Sequence, residues 1–144
     1  MSRDGPTIRG VATHPTRRLV EQRVRNRIIE HLELTASAEA QRKYQLDVPW
    51  VSVPVEIING WEDSVSPESR PSFSGPVYSK DELSALDRFQ LVWEAASADL
   101  PPQMPPLEEW MAEPEWASLQ RAAASALAVF MVRGRFPEDE EAAI

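Results

Sequence analysis

The stretch SKDELSALDRFQLVWEAASADL, residues 79–100, decides how the chain folds. Ser79 followed three residues later by Glu82 is a capping box, in which the serine hydroxyl accepts from the glutamate N–H and the glutamate carboxylate reaches back to the serine N–H. Behind it Leu86, Phe89, Trp93, Ala96 and Leu100 recur at i, i+3, i+7, i+10 and i+14, one stripe of an α-helix. Pro101 and Pro102 stop it, because proline has no N–H to continue the ladder. This segment is therefore a long amphipathic helix that needs a core to lie on.

The same signals repeat on either side. Downstream, Pro106 opens a short helix carrying Leu107, Trp110 and Met111, and Pro114 opens a longer one with Trp116, Leu119, Ala123, Leu127 and Phe130 on one face. Gly134 is placed to close that helix in the left-handed conformation. Ala122, Ala123, Ala124 and Ala126 leave room for a neighbouring helix to come close. Upstream, residues 66–78 read SPESRPSFSGPVY, too rich in Ser, Pro and Gly for either regular period, and form a loop. Ser52 caps a helix running to about Val65, with Pro54 in its first turn and Val55, Ile58, Trp61 and Val65 on one side. Val48 to Val53, interrupted by Pro49, reads as an extended connector, since a single strand would have no partner.

Residues 16–45 lack proline and are rich in helix formers, with Thr16 at the N-cap. Val20, Val24, Ile28 and Leu32 recur every fourth residue, which drifts about 40° per step around a 3.6-residue turn. The apolar stripe must wrap, or the helix must break near Thr35 to Ser37. The expectation is a mainly α protein, a single compact domain of four to five helices over 16–134, with a Pro-rich extended connector and no substantial sheet. A flexible segment over 1–15 and a solvated acidic tail over 135–144 flank it.

Composition excludes more than it identifies. With 144 residues and 42% apolar content, one core is the natural outcome. There is no cysteine, so disulfides, thiolate nucleophiles and Cys metal sites are out of reach, and two histidines leave little for a His-based zinc site. The longest near-continuous apolar run, Ala122 to Val132, falls short of the about 20 residues that span a bilayer. Met1 to Pro15 has no apolar core of the kind a secretory peptide needs, which makes the cytoplasm the expected compartment. No glycine-rich phosphate loop, G-x-S-x-G elbow or H-E-x-x-H motif occurs. His14 and His31 are expected at the surface or at the rim of the core. No cofactor is implied.

Charge is the least generic feature. The net is -8 and the pI about 4.8, which disfavours phosphate backbones and anionic membranes as partners. Yet residues 1–47 carry +3 and residues 48–144 carry -11. Arg17, Arg18, Arg23, Arg25 and Arg27 crowd the first helix. They are expected to pair with the acidic remainder or with a second copy of the chain, and a DNA contact is the alternative.

Five tryptophans are many for this length. Trp93 and Trp116 fall on regular apolar stripes and belong to the core. Trp50 and Trp61 lie beside acidic residues in DVPWVSVPVEIINGWEDSV (47–65), where Glu56, Asn59 and Asp63 share a helix face. Trp50, Glu56, Asn59, Trp61, Glu62 and Asp63 are thus the candidate partner-binding residues. The function expected is a non-catalytic acidic helical protein that binds a basic protein, as a bacterial immunity protein or antitoxin neutralises a basic toxin. The alternatives are a small helical enzyme or ligand-binding bundle with a carboxylate site from Glu56, Glu62 and Asp63, or a DNA-associated regulator using the Arg-rich helix. A homodimer is compatible with the first.

Overall fold

A computed structural model describes residues 14–98 and 100–144. Over those residues it contains six α-helices and no strand: α1 (Arg17–Ala36), α2 (Ala38–Asp47), α3 (Val53–Ser64), α4 (Lys80–Ala98), α5 (Leu107–Met111) and α6 (Pro114–Phe130), with a 3-10 turn at Arg70–Ser72. The expected flexible segment falls outside the described residues up to residue 13.

The helix starts follow their local chemistry. Thr16 Oγ1 accepts from the Leu19 N–H, Ser37 Oγ from Ala40, and Ser52 Oγ from Val55. The capping box is closed in both directions: Ser79 Oγ accepts from the Glu82 N–H and Glu82 Oε1 from the Ser79 N–H, each at 3.1 Å. The first helical pattern divides at Ser37, which serves as C-cap of α1 and N-cap of α2, so six helices form. Gly134, at φ 74°, closes the turn after α6 by donating its N–H to the Phe130 carbonyl.

α6 lies between α4 and α1, α3 packs on α1, and α2 and α5 close one end. Ile57, Ile58 and Trp61 of α3 meet Leu86, Phe89 and Trp93 of α4 in the core. Trp61 stacks edge-on against Phe89 at 4.5 Å and donates its indole N–H to Gln90 Oε1 at 2.7 Å. The Trp93 indole donates to the Ile58 carbonyl. Trp116 and Trp110 pack together at 4.3 Å. Burying these rings adds apolar driving force, and the indole bonds of Trp61 and Trp93 fix the orientation of those two.

The structure corrects two expectations. The buried face of α1 keeps only Ile28 and Leu32 of the stripe beginning at Val20, Val20 itself being exposed. It runs through Leu19, Gln22, Arg25, Asn26, Ile28, Ile29 and Leu32. The acidic segment after 134 is not a free solvated tail. Phe136 is buried, Asn26 exchanges two hydrogen bonds with the Phe136 backbone, and Gln22 donates to the Pro137 and Glu140 carbonyls while accepting from the Ala142 N–H. His31 sits half-buried at the rim of the core, one of the two placements expected: its Nε2 lies 2.7 Å from the Ile57 carbonyl and its ring 5.5 Å from Trp61. Gly60 beside it lies within α3. A Cβ there would come within 3.3 Å of the His31 ring, so the missing side chain is what lets α1 and α3 approach.

Candidate functional site

Gln45, near the end of α2, builds the site. Its side-chain N–H groups donate to the Val48 and Val51 carbonyls, and its Oε1 accepts from the Val53 N–H, which leads into α3. One glutamine thereby pins the whole 48–53 connector, whose backbone Pro49 had already barred from regular structure. At its apex Trp50 is 80% exposed, and Leu46 just before it is 82% exposed. The other four tryptophans are buried.

Facing this turn is the proline-rich segment that leads into α5. Trp50, Leu46, Pro49 and Val51 on one side, and Met104, Pro105, Pro106 and Leu107 on the other, line an apolar groove of about 760 Å³. Arg42 and Glu108 join its walls with a two-pronged pair, Nε to Oε2 at 2.7 Å and Nη2 to Oε1 at 3.0 Å. The hydrogen bond from Arg42 holds the Glu108 carboxyl below the usual carboxylate range. Residues 42–63 and 104–115, which carry both walls, contain eight carboxylates against two cations.

The six candidate residues separate. Trp61 is fully buried and belongs to the core. Its spacing on α3 allowed either role, and contact with α4 decided it. Glu56, Asn59, Glu62 and Asp63 are all exposed along one side of α3, within about 120° of each other around the helix axis. They make no side-chain hydrogen bond or ion pair with described residues. Trp50 alone lines the groove. The 104–107 segment was missed because its meeting with Trp50 depends on the return of the chain more than fifty residues later, whereas Leu46, close to Trp50 in sequence, reads as part of the first helical pattern. The only local signal was two proline-rich stretches, each flanking an aromatic residue.

Among the described residues no group of three or more His, Asp or Glu is placed to hold a metal ion. Burial pushes the His31 imidazole down, so it is neutral, and since the Ile57 carbonyl can only accept, Nε2 carries the proton. A neutral histidine engaged this way ties α1 to α3. The arginines of α1 are mostly engaged as well: Arg25 with Glu82, Arg17 with Glu21, Arg18 with Glu141, and Arg23 with the Glu138 carbonyl. No helix among the described residues is long and apolar enough to cross a membrane. No family model matches the chain, and neither does any curated protein or solved structure.

Proposed function

We propose that the protein is a non-catalytic binding protein that captures a basic polypeptide, seating an apolar anchor of that partner in the Trp50 groove. The observation that supports this most is the exposure of Trp50 and Leu46 side by side on a turn held rigid by Gln45. Exposed tryptophan is costly in water, and a large aromatic presented without conformational freedom is the kind of residue that dominates binding energy at interfaces. The acidic surroundings favour a cationic partner by steering it in and by rejecting acidic competitors. Masking a basic nuclease or toxin is the special case in which such binding neutralises an activity. It requires no catalytic group, in keeping with the toxin-neutralising role named above.

The test is affinity purification with tagged wild-type and Trp50→Ala protein, followed by surface plasmon resonance against whatever basic protein co-purifies. Trp50→Ala should raise the dissociation rate at least tenfold with an unchanged melting temperature. Glu109→Lys should slow association, more so at low salt than at high salt. A partner bound equally well by both variants would place the interface elsewhere.

A further inference from the structure

α4 and α6 pack side by side, and on their outer side they leave an open furrow. At one end, where α4 starts and α6 stops, Asp81, Ser84 and Arg88 face Ala128, Val129 and Val132 across a hollow of about 430 Å³. Further along, Arg88 and Val92 face Ala122 and Ser125 across one of about 230 Å³. The start of one helix thus lies beside the end of the other, so the pair is antiparallel, and Arg88 borders both hollows. Val132 on the rim is 85% exposed, more than Trp50, and Ser84, Ser125 and Ala128 are exposed around it. Two antiparallel helices presenting a broad face of this kind form half of a four-helix bundle.

The net charge of -8 makes two copies of the chain repel in most orientations. This face is balanced: the furrow is lined by one acid, Asp81, and one base, Arg88. They stand on the same side of α4, about 10.5 Å apart along its axis and within about 60° around it, with the small Ser84 between them. Opposite charges set about a small residue are self-complementary. A two-fold axis crossing α4 midway between them brings each copy's Asp81 against the partner's Arg88, and the pair forms twice. On α6 the same axis falls near Ala128 and Val129, which share the hollow with Ser84. It therefore lays the exposed Val132 over the partner's Ser125, a large side chain over a small one.

We propose that two copies of this chain pair through the α4–α6 face, about that axis, as an antiparallel four-helix bundle. Charge balance favours a second copy here over a strongly basic partner, which one acid beside one base does not attract. The face shares no lining residue with the Trp50 groove, so pairing and partner capture are separate properties of the molecule.

Sedimentation equilibrium of the full chain tests this, with circular dichroism to check that each variant stays helical. Wild type should sediment as a dimer at about 50 µM, where an interface of micromolar affinity is mostly filled. Arg88→Glu turns two attractive pairs into two repulsive ones and should weaken association tenfold or more, and Asp81→Arg should do the same with the signs reversed. Both changes in one chain restore the complementarity and should recover most of the wild-type affinity. Equal amounts of the two single variants should form a mixed dimer, one copy offering two acids and the other two bases. Val132→Glu should also weaken association tenfold or more, while Trp50→Ala should dimerise like wild type. The proposal is overturned if wild type is a monomer at that concentration, if the single charge variants dimerise as well as wild type, or if the double exchange associates no better than either alone. A dimer that Trp50→Ala dissociates would overturn it too, by placing the contact at the groove.

Discussion

Glu82 is the residue on which three helices and a loop converge. Its carboxylate takes two prongs from Arg25 of α1, at 2.8 and 3.2 Å, and two from Arg133 after α6, at 2.7 and 3.1 Å, while still capping Ser79. Arg25 also donates to the Gly134 carbonyl and Arg133 to the Val77 carbonyl, with the Phe136 ring 4.1 and 5.0 Å from the two guanidiniums. Burial pushes the Glu82 carboxyl up, but the hydrogen bonds from Arg25 and Arg133 outweigh it and hold the carboxyl below its usual 4.5. Removing the charge strands two guanidiniums, so Glu82→Gln should lower stability by about 3–5 kcal/mol in urea unfolding. A loss below about 1 kcal/mol would mean that the cluster is solvated. His31 gives a separate pH dependence. Its folded pKa lies below the ordinary 6.5, so the unfolded chain binds the proton first and stability falls as pH drops from 6.5 downward. Glu82 acts lower, its contribution being lost as pH falls through its depressed folded value. His31→Gln can still donate to the Ile57 carbonyl, and it should flatten the decline that sets in as pH falls through 6.5 while leaving the steeper acid transition in place.

Among the elements, those read from contiguous signals came out as the sequence suggested. Thr16, Ser52 and Ser79 cap helices because a cap and its N–H lie within three residues, and α4 and α6 face the core with their apolar stripes because every fourth or third residue is apolar. α1 did not follow. Its inner face carries Gln22, Arg25 and Asn26, all buried, and a polar side chain at i, i+3 and i+4 looks like a solvated face when its partner is more than a hundred residues away. Asn26 acts as a piece of backbone, accepting from the Phe136 N–H at 3.0 Å and donating to the Phe136 carbonyl at 2.8 Å. The C-terminal segment is thus attached through side-chain amides instead of a strand. Asn26→Ala should cost about 1–3 kcal/mol, the range for stranding a buried backbone group, and should make the chain after residue 134 the first site of limited proteolysis. Cleavage there at the wild-type rate would show that Gln22, Arg23 and Arg18 hold the segment without it. The candidate site divides on the same principle: Trp50 was legible as an aromatic residue beside proline, whereas the opposite wall at 104–107 and the burial of Trp61 depended on tertiary contact.

For the whole molecule, the opposed charges of the two parts of the sequence are partly resolved within the fold. Arg25 with Glu82, Arg42 with Glu108 and Arg18 with Glu141 join the basic first third to the acidic remainder, so what is left to the surface is the acidic excess of -8. That excess creates a negative potential around the one exposed tryptophan, and small ions can report it without any knowledge of the partner. Trp50 should be the indole reached by collisional quenchers, the others being at most 8% exposed, so Trp50→Phe should abolish most quenching while removing only a fraction of the total emission. At low ionic strength caesium, a cation, should quench Trp50 more efficiently than iodide, an anion, and the difference should fade as salt shortens the screening length to about 10 Å at 0.1 M. Equal quenching by the two ions at low salt would mean that the carboxylates of α3 and α5 do not project their field over the groove. The case for a cationic partner would then fall, while an apolar anchor for Trp50 would still stand.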